Sequence, residues 1–444
     1  MNNASNNRQS SKVLFGDSIN RQIPQLNISS PILSLQGKSY EDTSVQIQLN
    51  NDILSKHIML LGGIGTGKTN AFFQIVSQIK NQLTNNDVMV IFDTKGDFYK
   101  EFYKPGDIVI SNDATATGAD KLNYWNIFNE VDEGEGLLPS VIEISKSLFA
   151  EACEKTNQPF FPNAAKDIFM AILLHFFRNV PPFERTNEYL IDFINSTPTA
   201  KIKEMLNHYK DLRAMTSYIS NPESPQTQGV MSELQQITRE IFIGNFAKKG
   251  SLSMKNLIKN KGGKTIFIEY DLSVGGMLSP IYTLMFDLAI KEALGRNRSE
   301  GNVYFITDEF KLLPNLQHID DAVNFGRSLG IKFMIGVQNV EQIYAEYGEE
   351  RARSLMSGFS TNISFRVNDQ KSREYIQSLY GRNQKLDSYL PVIQSKGFIE
   401  TQREANVVED WDISRLRIGE AIIGLPLIEP FIFRFNEYIT KEKE

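Results

Sequence analysis

The chain has 444 residues and a single cysteine, Cys153, so its stability rests on an apolar core and not on disulfides formed within the chain. A composition of 41% hydrophobic and 23% charged residues, with 29 glycines and 16 prolines, excludes collagen-like, wholly disordered and disulfide-scaffold proteins. The 53 acidic and 47 basic side chains give a net charge of −6, which excludes a simple basic coat for nucleic acid but leaves room for a local basic lining.

No continuous apolar run approaches the roughly 18 residues of a membrane-spanning helix. The best stretches, Ile168 to Phe177 and Ile281 to Ile290, are short and carry His175 and Asp287. The segment Met1 to Ser11 is polar and lacks the apolar centre of a signal peptide, so a cytoplasmic chain in a reducing compartment is expected.

Residues 1–40, punctuated by Pro24, Pro31 and Gly37, read as a flexible lead-in. Val45, Ile47 and Leu49 then alternate with polar residues as in a half-buried strand, and Ile58-Met59-Leu60-Leu61 suits a strand buried on both faces. From Asn70 the period changes, with Phe72, Ile75, Val76, Ile79 and Leu83 on one helical face. Val88 to Phe92 and Asp107 to Ile110 predict further strands. This order argues for an α/β fold with a mainly parallel sheet.

From Gly134 to Ile258 strand-like runs almost vanish. Helical patterns appear at Leu137 to Ala152, Ala164 to Asn179, Ala200 to Ile219 and Val230 to Phe246. An all-helical domain, 134–258, is therefore expected inside an α/β domain formed by 41–133 and 259–444. The α/β signal resumes at Thr265 to Tyr270, Val303 to Thr307, Lys332 to Val337 and Asn362 to Val367, and ends with Ala421 to Leu425 and Phe431 to Phe435.

Between the apolar strand and the helix lies Gly62-Gly63-Ile64-Gly65-Thr66-Gly67-Lys68-Thr69, followed by Asn70. A glycine, four residues and Gly-Lys-Thr form the P-loop pattern, and a strand before it with a helix after it is the context that gives the pattern meaning. Glycines let successive N–H groups converge on one anion, and the helix adds its positive dipole end. Gly62 to Asn70 is thus the expected ATP-binding segment, with Lys68 reaching the β- and γ-phosphates and Thr69 offering its hydroxyl to Mg²⁺.

Val303 to Thr307 delivers Asp308-Glu309 at its carboxyl end. Such a strand could end in a solvated acidic turn. Paired with the P-loop, it predicts Asp308 at the metal and Glu309 as the general base that activates water. Gln338, at the end of the next strand, suits a phosphate sensor, or else a solvated amide. Arg327 suits a finger reaching a neighbouring subunit's nucleotide, or else a surface ion pair. Asp93-Thr94-Lys95-Gly96-Asp97 is either a nucleotide-side contact or a glycine-containing turn. The four histidines are not at metal-ligand spacing, and Lys248 to Lys264 is a basic stretch that suits a solvated loop more than a phosphate backbone.

His57 to Thr69, Asp93 to Asp97, Trp125-Asn126 and Asp308-Glu309-Phe310 together resemble the TraG/TraD-like type IV secretion coupling proteins, within the HerA/FtsK group of DNA-pumping ATPases. Phe325 to Gly330, Gln338, and Tyr347-Gly348 through Tyr380-Gly381 follow that family's order. The resemblance spans about residues 40 to 435. It implies a RecA-like P-loop motor forming a homohexamer that moves DNA through a central channel. Lys68, Thr69, Asp308 and Glu309 would carry the ATPase chemistry, Gln338 would sense phosphate and Arg327 would act in trans. A relaxase and type IV secretion components are the implied partners. Members usually carry an amino-terminal membrane anchor that this sequence lacks. That leaves docking at the membrane through partners, or the work of soluble HerA-like motors that act with nucleases in defence or repair. A nucleotide-controlled scaffold is the alternative from another class. A P-loop kinase fits less well, because Asp308-Glu309 follows the loop only after a large helical insertion.

Overall fold

The computed structural model describes residues 10–24, 28–295, 300–389 and 399–441. The chain forms two compact units, Met1–Gln82 with Thr307–Lys311 and Lys332–Glu444, and Leu83–Ile306 with Leu312–Ile331.

The first unit is built on strands β1 (Ser10–Phe15), β2 (Pro31–Lys38), β3 (Ser44–Asn50) and β4 (Ile58–Leu61). The second unit contributes β5 (Val88–Asp93), β6 (Ile108–Ile110), β7 (Thr265–Glu269) and β8 (Val303–Thr307), the last running into the first unit at Thr307. The first unit resumes with β9 (Ile331–Val337), β10 (Thr361–Phe365), β11 (Arg382–Tyr389), β12 (Ile399–Asn406), β13 (Glu420–Gly424) and β14 (Phe431–Phe435).

In the first unit the strand order is β3-β2-β14-β13-β10-β4-β9. The β10-β4-β9 part is parallel, and the remaining pairs are antiparallel. Every residue of β4, β9 and β10 is buried, as expected of strands covered on both faces. The helix Lys68–Gln82 buries Ala71, Phe72, Ile75, Val76 and Ile79 along one face, the face that the sequence period marks. A separate antiparallel sheet, β1-β11-β12, is polar along most of its length.

Here the expected lead-in is corrected. Residues 31–38 form a sheet strand whose Leu33 and Leu35 are buried and pair in register with Leu49 and Ile47 of β3. Alternation across one covered face holds this segment in place. Residues 10–15 pair with β11. Residues 1–9 and 25–27, also assigned to the lead-in, lie outside the described residues.

In the second unit β8-β5-β7-β6 is the strand order, with β5-β7-β6 parallel. The helical stretch runs through Leu137–Glu154, Phe160–Asn179, Asn187–Ser196, Thr199–Asn207 and Pro225–Ile241. The helix expected over 200–219 stops at Asn207 and returns as a short 3-10 turn, Met215–Ile219. Pro225–Ile241 starts earlier than its apolar period suggests because the Ser224 side chain caps it, accepting the Thr227 N–H, with Pro225 at the first helical position.

One membrane expectation also needs correction. Phe160–Asn179 is a single helix long and apolar enough, by length and composition, to cross a membrane, because its first turn extends the run read from sequence. In this fold Ala164, Ala165, Ile168, Phe169, Ile172 and Leu173 are buried, as in the core helix of a globular domain.

Trp125-Asn126 turns out to be a joint. The Trp125 indole donates to Glu130 Oε1 at 2.7 Å, and the same carboxylate accepts from Ser253 Oγ and from the N–H groups of Met254 and Lys255. Asn126 Nδ2 donates to the Arg185 carbonyl, and Asn187 ties Trp125, Ile127 and Phe246 together. Glu130 is buried, so each of those four donors matters to its charge balance.

Candidate nucleotide-binding site

The loop Gly62–Gly67 leaves β4 and enters the helix that starts at Lys68. Its base is fixed by two backbone bonds, Gly62 N–H to the Val337 carbonyl and Gly63 N–H to the Arg366 carbonyl, so β9 and the end of β10 set its path. Thr66 Oγ1 closes the loop on the Gly63 carbonyl at 2.8 Å. At Gly67 the backbone has φ +114°, and a Cβ there would sit 2.9 Å from Gly419 Cα, so only glycine fits. Ile64 stands exposed at the tip.

Lys68 is buried, and its ammonium donates to the Gly62 and Gly63 carbonyls, which hold it over the loop. Thr69 Oγ1 donates to Asp308 Oδ2 at 2.6 Å, joining the P-loop helix to the end of β8. Glu309 accepts from Gln338 Nε2 and lies 3.6 Å from the Lys311 ammonium. Burial pushes the Glu309 carboxyl pKa up, while Lys311, the Gln338 hydrogen bond and Lys68 pull it down and Asp308 pushes it up again.

The structure thus brings Gly62 to Thr69, Asp308, Glu309 and Gln338 together within the first unit. Asn70 is engaged elsewhere: its Nδ2 donates to the Asn436 carbonyl and its Oδ1 accepts the Tyr438 N–H, stapling the C-terminal segment to the helix. Arg327 belongs to the second unit, on the exposed turn Gly326–Leu329. Two residues escaped the sequence reading. Lys311 was visible as a charge just past the acidic pair. Gly419, whose N–H donates to the Thr66 carbonyl at 2.8 Å, is remote in sequence and becomes a loop neighbour only through the topology.

A mainly parallel sheet with a P-loop at one strand end and an acidic pair at another defines a RecA-like P-loop NTPase fold. Residues 43–430 match the type IV secretion-system coupling protein DNA-binding domain, and the chain belongs to this TraG/TraD-like coupling protein family. It is 22% identical over 362 residues to the coupling protein TraD of Escherichia coli (strain K12), covering 80% of this chain and 48% of TraD. It is 22% identical over 258 residues to the type IV secretion system-coupling protein VirD4 of Bartonella henselae, covering 55% of this chain and 40% of VirD4. The chain therefore spans less than half the length of these curated relatives. The plasmid coupling protein TrwB in complex with ADP and Mg²⁺ has the same fold, with a TM-score of 0.71 at 17% identity over 90% of this chain and 89% of TrwB.

Proposed function

We propose that the chain is the motor ATPase of a type IV coupling protein, hydrolysing ATP with Mg²⁺ and moving DNA, as a homohexamer, towards a conjugative secretion channel. The contact that carries this reading is Thr69 Oγ1 to Asp308 Oδ2 at 2.6 Å, with Glu309 and Gln338 beside it. A hydroxyl and a carboxylate are an oxygen-only donor pair, the kind that suits a hard divalent ion keeping most of its water. Mg²⁺ held there would offset charge building on the transferred phosphoryl group. The complex of TrwB with ADP and Mg²⁺ supports the same nucleotide and ion here.

In this reading the loop N–H groups and Lys68 bind the phosphates, and Glu309 takes the proton of the attacking water. Gln338 orients Glu309 through the hydrogen bond already formed and senses the γ-phosphate. Arg327 acts across a subunit boundary. The helical stretch 134–258 serves as the substrate-facing domain of the motor formed by 41–133 and 259–444. The family match and the named relatives support DNA and type IV secretion components as partners. The same reading adds a relaxase as cargo carrier and a place on the cytoplasmic side close to the membrane.

The test is ATP turnover by the purified chain with and without DNA. We expect stimulation by DNA and loss of turnover in Lys68→Ala. ATP binding with a hydrolysis rate indifferent to DNA would instead favour a nucleotide-controlled scaffold.

A further inference from the structure

The second unit holds a charge cluster that the proposed chemistry does not use. Asp287 lies in the helix Gly275–Ala293, Glu143 lies in the helix Leu137–Glu154, and His318 immediately precedes the helix Ile319–Phe325. Asp287 grips His318 twice: Oδ1 accepts its backbone N–H at 2.9 Å, and Oδ2 lies 2.8 Å from ring Nδ1. On the other side, ring Nε2 lies 3.5 Å from Glu143 Oε1. The second oxygen of Glu143 pairs with the Lys291 ammonium, from the helix that carries Asp287.

Two carboxylates and an imidazole would also suit a transition metal. The geometry argues for a proton instead. A single ion can take only one ring nitrogen, whereas here the two nitrogens face two different carboxylates, and a lysine already occupies Glu143. An imidazolium has two N–H donors: one hydrogen-bonds Asp287, and the other turns positive charge toward Glu143 Oε1, a buried oxygen that no hydrogen bond satisfies among the described residues.

We propose that protonated His318 is a positioning residue: it clips the segment 319–329 to the Asp287 and Glu143 helices and so sets the place of Arg327 for hydrolysis. The proposal rests on the motor reading above for its effect on turnover, but not for the clip itself.

The physical logic begins with Asp287. Its side chain is 5% exposed in the middle of an apolar helix, and a carboxylate so placed needs a cation. His318 supplies one from the segment that leads, through Ile319 and Ala322 packed into the core, to the exposed turn bearing Arg327. The groups facing the imidazole are Asp287 and Lys291 from one helix and Glu143 from the other, while its own segment adds Asp320 and Asp321 in the next turn. The Asp287 hydrogen bond, and the charges of Asp287 and Glu143, raise the His318 pKa against burial and Lys291. Because the folded value is raised, the clip is fully formed below the ordinary imidazole range and opens as pH rises through the raised value.

The chain has four histidines, so imidazole resonances can be resolved and assigned by His318→Gln in the full chain. We expect His318 to carry protons on both nitrogens at pH 7 and to titrate closer to the ordinary value in Asp287→Asn. Glu143→Gln, at a less buried position, should act in the same direction but less strongly. Amide exchange over 319–329 at pH 7 should be several-fold faster in His318→Gln than in the parent. ATP turnover should lose roughly five- to tenfold in kcat with KM unchanged, be partly rescued by His318→Lys, and fall in the parent over the same alkaline range in which His318 titrates. A singly protonated His318 at pH 7, a titration indifferent to Asp287→Asn, or a shift of its resonances by stoichiometric Zn²⁺ would overturn the clip. Unchanged exchange with unchanged turnover in His318→Gln would overturn the positioning role. A parent chain without ATPase activity would sink the motor reading, leaving the resonances and exchange to judge the clip.

Discussion

Two acidic pairs sit at the carboxyl ends of buried strands, and they have opposite fates. Asp308 and Glu309, after β8, meet a hydroxyl, an amide and an ammonium: Thr69, Gln338 and Lys311. Asp93 and Glu269, at the ends of β5 and β7, meet chiefly each other, opposite one another in the parallel ladder. Asp93 is quieted by the Tyr99 and Lys95 N–H groups, yet Glu269 Oε2 is buried with no hydrogen-bond partner among the described residues. Burial, and then the Asp93 charge, raise Glu269 to about 7, while burial, with a smaller push from Asp97, raises Asp93 to about 6. A strand-end carboxylate is thus defined by what the fold places opposite it. The first pair is tied to the P-loop helix, to Gln338 and to a cation, whereas burial carries the second up toward neutrality.

The largest way to break this contrast is to make the first pair resemble the second. Glu309→Gln keeps the acceptor for Gln338 but cannot take a proton, so ATP turnover should fall about 10²- to 10⁴-fold with nucleotide binding retained. Steady-state hydrolysis beside a fluorescent-nucleotide titration separates the two, and a loss below tenfold would remove Glu309 from the role of base.

A smaller effect belongs to the second pair, and its sign is fixed. The folded Glu269 value lies above the unfolded value of 4.5, so its share of stability is complete at acid pH and is lost as pH climbs to about 7. Glu269→Gln should therefore match the parent at pH 5 and gain about 1–2 kcal/mol at pH 8. Melting curves at the two pH values read this as a gain of a few degrees at pH 8 alone.

The contrast also shows where sequence reading has purchase. The P-loop and Asp308-Glu309 were legible because each lies beside a strand whose continuous apolar run announces it. Nothing in Asp93 to Asp97 says that Glu269 lies opposite, since pairing across a parallel ladder depends on topology. Gly96 was ambiguous for the same reason: its φ of +71° marks a turn, and a Cβ there would stand 2.9 Å from Glu269 Oε1. β2 carried a readable signal in Leu33 and Leu35, masked by the prolines around it. β11 and β12 carried none, because Arg382 to Tyr389 and Ile399 to Asn406 are held by ladder pairing and by ion pairs such as Arg403 with Asp387, without an apolar face. The joint at Trp125 needed Glu130, Asn187 and Ser253 at once, three residues that no local pattern connects.

The finest distinction between the two pairs is a cation in ion-pair contact, which Lys311 supplies to Glu309, whereas Lys100 acts on Glu269 only through its charge. Its ammonium lies 3.6 Å from Glu309, a third exposed, so it is partly screened, and it is the largest of the influences that lower the Glu309 pKa. Removing it in Lys311→Ala leaves burial less opposed and moves Glu309 toward the state of Glu269. In the proposed mechanism hydrolysis needs the carboxylate, so the acid limb of the turnover profile should move to higher pH, with the plateau at pH 8 nearly unchanged. At the foot of that limb the expected loss is about two- to threefold, the scale of a half-exposed ion pair. Added salt should shrink the difference between variant and parent, because screening already weakens the same attraction in the parent. A loss equal at all pH values would mean that Lys311 touches the phosphates directly, and its partnership with Glu309 would then be incidental.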